Sequence, residues 1–476
     1  MRLRKTIVIV GGGFSGALTA YHLLRCKTRA RIVLVDPSSD LGLGLAYSTP
    51  SRQHLLNVPA GKISALPDQP DHLLRWLREN DDAQVSEADF IPRAVFGRYL
   101  QSILEPMLPL LEHHRNTVLG CILQEKQAVV HLADGTEILA DAVVLATGNF
   151  NPASLGGVEE KAIAAGVYCH SAWKNETYAG LSPEAPVALI GSGLTAVDVL
   201  LRLRELGHRG PVTAISRHGV FPHRHASYQP LEGPVIRNTP KRARELLVMM
   251  HQAIRSGADW RAVVDSLRPR TNELWLALPF AEQQRFRRHL QRRWEVVRHR
   301  MAPTIADRID AELEAGTLLQ RRGRLHAVLV AQEGARVQLR DSEGELQEIA
   351  AARVINCTGP DMNYARVDSP LLKSLLEQGQ AVAGPHGYGL WANKTGALRQ
   401  RHGGFSPVLF CVGPPRQGTL LESIAVPELR QQAVELATKL AKRFSIRSQE
   451  TERSVDAVDP PSVSVGEVRG SYELAS

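Results

Sequence analysis

The sequence predicts an α/β chain made of two copies of one unit, each a strand, glycine turn and helix followed by a β-meander, with a helical insertion in the second copy. Three observations carry this. An apolar strand, Thr6-Ile7-Val8-Ile9-Val10, runs into Gly11-Gly12-Gly13-Phe14-Ser15-Gly16 and then into a helical pattern. A second apolar strand, Val187-Ala188-Leu189-Ile190, runs into Gly191-Ser192-Gly193-Leu194-Thr195-Ala196. Each copy closes on a matching strand, Val143-Val144-Leu145-Ala146-Thr147-Gly148 in the first and Arg353-Val354-Ile355-Asn356-Cys357-Thr358-Gly359 in the second.

The glycine spacing has a physical purpose. The first glycine of G-x-G-x-x-G makes the tight turn, the second lets backbone approach a pyrophosphate, and the third lets helix and strand pack closely. A diphosphate then lies at the positive end of the helix that begins near Phe14. The next strand, Arg31-Ile32-Val33-Leu34-Val35, ends in Asp36, twenty residues after Gly16, where a carboxylate takes ribose hydroxyls. Both copies therefore read as Rossmann-like dinucleotide-binding domains. In the second, the strand Val212-Thr213-Ala214-Ile215 ends in Ser216-Arg217-His218 rather than an acid. A carboxylate there would repel a 2′-phosphate and an arginine can pair with it, so this site is expected to prefer NADPH to NADH.

Between the motifs, Leu41-Gly42-Leu43-Gly44-Leu45-Ala46-Tyr47 and the stretch from Gln53 through His54 and Asn57 to Lys62 keep no period for long and read as loops over a ligand. Helical patterns are expected over 70–79 and 96–112, and meanders over 117–145, with Asp134-Gly135 as its turn, and over 317–348. A last strand, Val408-Leu409-Phe410-Cys411-Val412, enters Gly413-Pro414-Pro415-Arg416-Gln417 and a helix expected to start near Gln417 and reach about residue 444. The resulting division is 1–165 with 350–445 for the first domain, 166–349 for the second with its insertion at about 223–305, and 446–476 as a disordered tail.

Composition narrows the functional classes. Apolar residues at 43% and charged residues at 22% are ordinary for a globular protein. Five cysteines, an odd number without C-x-x-C, argue against a disulfide framework and a dithiol reductase, and fit a cytoplasmic compartment. Residues 1–24 superficially resemble a signal peptide, but strand, turn and helix explain them better, and no membrane span is expected. Residues 217–300 hold 17 Lys and Arg against 7 Asp and Glu. Nucleic acid is one reading of that excess, but no nucleic-acid motif accompanies it, and a basic surface around polyanionic cofactors is preferred. His223-Arg224-His225 and His299-Arg300-Met301 are expected to be solvated or to face a cofactor, since no acid or cysteine accompanies them to make a metal site.

Two glycine turns separated by a meander, each closed by a T-G strand, resemble the two-dinucleotide-binding flavoproteins, over about residues 5–440. The stretches Gly42-Leu43-Gly44-Leu45-Ala46-Tyr47, His54-Leu55-Leu56-Asn57-Val58-Pro59-Ala60 and Pro67-Asp68-Gln69-Pro70 are similar to a bacterial family of FAD/NAD(P)-binding proteins related to flavin-containing monooxygenases and amine N-hydroxylases. Gly166-Val167-Tyr168-Cys169-His170 with Trp173 is partly similar to the linker signature of class B flavin monooxygenases.

The resemblance implies FAD on Gly11, Gly13, Phe14, Ser15, Gly16 and Asp36, with Ala46, Asn57, Gly148 and Gly413 around the flavin. It implies NADPH on Gly191, Ser192, Gly193, Leu194, Thr195, Ser216 and Arg217. Pro414 stands where related proteins have an aspartate beside the ribityl chain, which puts that contact in doubt. The implied activity is hydride transfer from NADPH to flavin. In the monooxygenase version, dioxygen then forms a flavin hydroperoxide that hydroxylates a small nucleophilic substrate. Asn57 and His54 are the candidates for polar groups near the flavin edge. The alternatives are an NAD(P)H dehydrogenase or oxidase with another acceptor, and a non-enzymatic nucleotide- or nucleic-acid-binding protein. Substrate and oligomeric state are not legible.

Overall fold

In the computed structural model, which describes residues 4–453, each copy of the repeated unit builds its own parallel sheet. The first has the strand order Ala397–Arg399, Phe405–Cys411, Ala142–Leu145, Thr6–Val10, Arg31–Val35 and Glu112–His114, with only the edge strand Ala397–Arg399 antiparallel. The central strand Thr6–Val10 is buried on both faces, which is why its sequence is apolar without alternation. Its side chains still divide by pleat. Ile7 and Ile9 join one core with Leu18 and Leu436, and Val8 and Val10 join another with Leu372 and Leu375. Helix Phe14–Arg25 packs on the first face against the final helix, Val426–Arg453.

The second sheet repeats the plan in the order Leu318–Arg322, Val212–Ser216, Val187–Ile190, Arg353–Asn356 and Tyr168–Cys169. Val187 aligns with Val212 on one side and Arg353 on the other. Strand Arg353–Asn356, which a boundary at 350 assigns to the first domain, thus lies in the second sheet. The helix Glu160–Ala164 likewise rests on strand Arg324–Ala331 of the second meander.

Each meander is a separate three-stranded antiparallel sheet. The first comprises Val118–Leu123, Ala128–Leu132 and Glu137–Ala140, turning at Gly135 with φ +87°. The second comprises Arg324–Ala331, Gly334–Arg340 and Leu346–Ala351. Leu318–Arg322, expected to open that meander, pairs in parallel with Val212–Ser216 instead.

Two helical expectations are corrected. The pattern over 96–112 is a helix only at Arg93–Leu104; Pro106 and Pro109 tighten the continuation into a 3₁₀ turn, and Glu112–His114 pairs with Val33–Val35. The helix expected from Gln417 begins at Val426, and Pro414–Gly418 is a short 3₁₀ turn with prolines at its first positions. The final helix continues to Arg453, past residue 445, and the rest of the expected tail lies outside the described residues. Among the described residues, no helix is long and apolar enough to cross a membrane.

The insertion supplies five helices, Ala243–Arg255, Trp260–Ser266, Thr271–Ala277, Phe280–His289 and Gln291–Arg298. Its basic residues are not all at the surface. Arg298 is buried in a bidentate pair with Glu422 at 2.8–3.2 Å, and Arg300 is buried against Asp265. Trp294 Nε1 also donates to Glu422, and Trp275 Nε1 donates to the Thr419 carbonyl. These bonds fasten the insertion to the last loop of the first domain.

Candidate cofactor sites

The first glycine turn is shaped by close backbone approach. Gly11 has φ +103°, and a Cβ there would stand 2.3 Å from the Ala146 carbonyl oxygen. A Cβ on Gly16 would stand 1.9 Å from the Gly11 oxygen, so the helix can lie this near the strand only with glycine. Gly13 caps helix Phe14–Arg25 in an extended conformation, which leaves the first N–H groups of the helix directed outward. The phenyl ring of Phe14 goes into the core beside Tyr47 and Phe96, so only its backbone can face a ligand.

Asp36 is held by that turn. Its Oδ2 accepts from Gly12 N–H at 2.6 Å and its Oδ1 from Ser38 N–H at 2.8 Å. Each carboxylate oxygen keeps a second lone pair for a ribose hydroxyl. The 41–47 loop closes over the turn, with Gly42 N–H donating to the Gly12 oxygen at 2.8 Å and Gly44 next to Gly13. Ala46 is exposed in the short helix Gly44–Tyr47.

From the other end of the chain, Gly413 is brought against Ser15. Its φ is +77°, its N–H donates to Gln432 Oε1, and its carbonyl accepts from Ser423 Oγ at 2.7 Å. Beside it, Gln417 Oε1 is buried with no hydrogen-bond partner among the described residues. Gly148, with φ +68°, has open space around it at the end of the first closing strand. Narrow glycine turn, outward N–H groups, prepositioned carboxylate and an unpaired buried oxygen together fit a dinucleotide.

The second turn opens onto a cleft of about 500 Å³ lined by Gly191, Ser192, Gly193, Thr195, Ser216 and Arg217. A Cβ on Gly191 would stand 2.5 Å from the Cys357 oxygen, the same device as Gly11 against Ala146. Leu194, the first residue of helix Leu194–Glu205, packs its side chain on the domain core. The buried Ser192 hydroxyl lies 2.8 Å from Ser216 Oγ and 2.7 Å from the Val220 carbonyl. Arg217 is exposed at the cleft and makes no ion pair among the described residues.

Sequence reasoning missed Arg292. From the insertion it reaches the Ser192 oxygen, Ser192 Oγ and the Val220 carbonyl, at 2.9–3.3 Å. Burial holds the His218 pKa below its usual range, and Arg217, Arg292, Arg322 and Arg293 lower it further. Within the cleft itself Arg217, Arg292 and Arg324 stand against one acid, Glu295, which lies 3.8 Å from Arg292, leaving the net positive charge a 2′-phosphate needs. Thr358 and Gly359 also line the cleft, with Thr358 fixed by the fully buried Asn356.

His54 and Asn57 lie where the domains meet. The buried His54 ring donates from Nε2 to the Asp198 carbonyl at 2.9 Å, so neutral Nδ1 accepts from Thr49 Oγ1 at 2.7 Å. Arg93 pairs with the Asp198 carboxylate at 2.8 Å. The Asn57 carbonyl accepts from His225 Nε2 at 3.0 Å, and its side chain makes no hydrogen bond among the described residues. His225, expected to be solvated or cofactor-facing, is part of this junction, and burial followed by the charge of Arg300 lowers its pKa to about 4. Trp173 packs edge-on to His54 with ring centres 6.2 Å apart.

Residues 8–150 match a family model described as FAD-NAD(P)-binding. A 245-residue stretch is 24% identical to the uncharacterized protein YdhS of Escherichia coli (strain K12); the match spans 47% of this chain and 43% of that relative's length. In fold, the chain is similar to an L-lysine 6-monooxygenase from Pseudomonas syringae (14% identity, TM-score 0.65, 92% of this chain and 99% of that one). It is also similar to the ornithine N-hydroxylase of Kutzneria sp. 744, solved with reduced FAD, NADP+ and L-ornithine (15% identity, TM-score 0.61, 93% and 100%). The chain therefore carries an FAD/NAD(P)-binding domain at residues 8–150 and takes, over most of its length, the fold of the two-dinucleotide-binding flavoproteins.

Proposed function

We propose that the protein is an FAD-dependent, NADPH-using oxidoreductase of the monooxygenase kind, acting on a small nucleophilic substrate. The observation that carries the two cofactors is the contrast between the two glycine turns, one backed by the carboxylate of Asp36 and the other by Arg217 and Arg292, and the monooxygenase part is supported by the fold likeness to the lysine and ornithine hydroxylases. The acid suits a dinucleotide without a 2′-phosphate and the arginines suit one with it, which supports FAD at the first site and NADPH at the second. When bound, the flavin would accept hydride from NADPH and activate dioxygen for transfer of one oxygen atom to an amine nitrogen or a sulfur.

The chain's part is binding and orientation. The N–H groups around Gly13, Ser15 and Gly16 would hold the FAD diphosphate, and those around Gly193 and Thr195 the NADPH diphosphate. Arg217 would pair with the 2′-phosphate while Arg292 keeps Ser192 and the turn in place. Asn57, with its free amide, would offer a polar group near the flavin. His54 would set the spacing of the two domains through Asp198.

Purified protein is expected to be yellow and to oxidise NADPH faster than NADH. With a screen of amines and sulfides, oxygen consumption should be matched by oxygenated product. Peroxide equal to the NADPH consumed, with no product from any compound, would overturn the monooxygenase reading and leave an oxidase. Asn57→Ala should lower kcat with little change in the KM for NADPH. His54→Ala should leave NADPH binding intact and slow flavin reduction, and an unchanged reduction rate would remove its role.

A further inference from the structure

The insertion forms a half-open pocket of about 450 Å³ that none of the proposed cofactor residues lines. One wall is helix Ala243–Arg255, whose Leu246, Leu247 and Met250 follow helical spacing and would normally be packed away. They remain half-buried because they border a hollow. The facing walls carry Trp260, Trp275 and Trp294, and the volume lies within the ~300–1,000 Å³ of small-molecule sites. The polar residues in the lining are His223, His251, Thr271 and Arg293, and no acidic residue lines it. His223, His251 and Arg293 are exposed, so the charge sits toward the rim.

We propose that this cavity binds a small amphiphile, with its hydrocarbon body among the tryptophans, leucines and methionine and an anionic head at Arg293. A wide apolar wall with a few polar groups is the usual form of a ligand site, and Met with aromatic side chains adapts to irregular chains and rings. The absence of carboxylates from the lining selects against an ammonium head, because a cation there would meet only Arg293 and the histidines. The cavity also touches the first domain. Leu421 is part of its wall, and Trp275 donates to the Thr419 carbonyl at 3.1 Å, in the segment that follows Gly413. Binding here does not require the oxidoreductase reading.

Calorimetry on the full-length, FAD-loaded protein tests it, with decanoate as probe and decylammonium as the control of opposite charge. The expected result is saturable one-to-one binding of decanoate with a negative heat-capacity change, at least about tenfold tighter than decylammonium. Arg293→Gln should weaken decanoate about tenfold, the scale of one lost charge-assisted hydrogen bond. Leu247→Trp and Met250→Trp should fill the hollow and abolish binding while FAD content stays unchanged. Non-saturating heats, equal affinity for the two probes, or unchanged binding in either Arg293→Gln or a folded filled variant would overturn the proposal. Should a filled variant fail to fold, the exposed Arg293 still decides it. FAD content and NADPH oxidation are read separately, so failure here leaves the oxidoreductase reading standing.

Discussion

Gly413 lies against Ser15, so that the last strand of the first sheet returns to the start of the first helix. A Cβ on Gly413 would stand 2.6 Å from Ser15 Oγ, and its φ of +77° is one that non-glycine residues rarely adopt. Gly413→Ala should therefore cost about 1–3 kcal/mol of strain, expressed where FAD is expected to bind. The purified variant should show lower flavin absorbance per protein at a nearly unchanged circular dichroism. Adding Ser15→Ala should recover part of the loss by removing the clashing oxygen. Full flavin content in Gly413→Ala would show that the glycine is not needed there.

Coenzyme preference should separate Arg217 from Arg292. Arg217 is exposed and its charge is not shared with a protein carboxylate, so its pairing with a 2′-phosphate would be worth about 1.5–3 kcal/mol, or roughly 10- to 100-fold. Arg217→Ala is expected to raise the KM for NADPH by that factor and leave NADH nearly unchanged. Arg292 additionally holds Ser192 and the Val220 carbonyl, so Arg292→Ala should weaken both coenzymes. Equal losses for NADPH and NADH in Arg217→Ala would remove the 2′-phosphate assignment.

The contrast between these arginines shows what the sequence could reveal. Arg217 was legible because it stands at a fixed offset from a strand and a glycine turn, and such local spacing is what a motif records. Gly11, Gly16 and Gly191 were legible for the same reason, since their conformation and backbone contacts follow from the turn itself. Arg292 reaches Ser192 across a hundred residues, and no local pattern encodes which of many insertion arginines turns inward. Likewise, its match to residues 143–148 marks Arg353–Asn356 as the closing strand of the second copy, which its pairing with Val187–Ile190 bears out, whereas nothing in the local sequence keeps a boundary at 350 from cutting it off from that sheet. The misread helix over 96–112 has a local cause, two prolines whose effect was outweighed by the apolar period.

Acid should loosen the junction between the domains. The folded-state pKa of His225 is lowered to about 4, first by burial and then by Arg300. The unfolded chain, with an ordinary histidine pKa near 6.5, binds a proton that the folded chain refuses. Stability is therefore fully present above about pH 6.5 and declines as pH falls toward about 4. His22, also buried and lowered to about 4, adds to the same trend. His225→Gln, which can still donate to the Asn57 carbonyl, should reduce the fall in melting temperature between those pH values. An identical pH dependence in the variant would place the effect elsewhere.

The pair Arg298–Glu422 makes the insertion and the flavin unit interdependent. Both side chains are nearly inaccessible, at 5% and 6%, and Arg298 also approaches Glu428 at 3.7 Å. Arg298→Met would leave the buried Glu422 carboxylate without its cation, while Glu428 keeps Arg268 at 3.4 Å, an arrangement that costs about 3–5 kcal/mol. Glu422→Gln removes a charge but keeps an acceptor for Trp294 Nε1, so its cost should be smaller, about 1–2 kcal/mol. Glu422 lies nine residues beyond Gly413, on a loop whose backbone also bonds Asn272. Loss of the pair should therefore release flavin as well as loosen the insertion. Flavin fluorescence followed on heating should rise at a lower temperature in Arg298→Met than in Glu422→Gln, and lower in both than in the parent. A double variant, Arg298→Met with Glu422→Leu, should regain part of the loss, because no uncompensated charge remains at that position. If flavin release in Arg298→Met matched the parent, the insertion would be a separately stable attachment with no hold on the flavin.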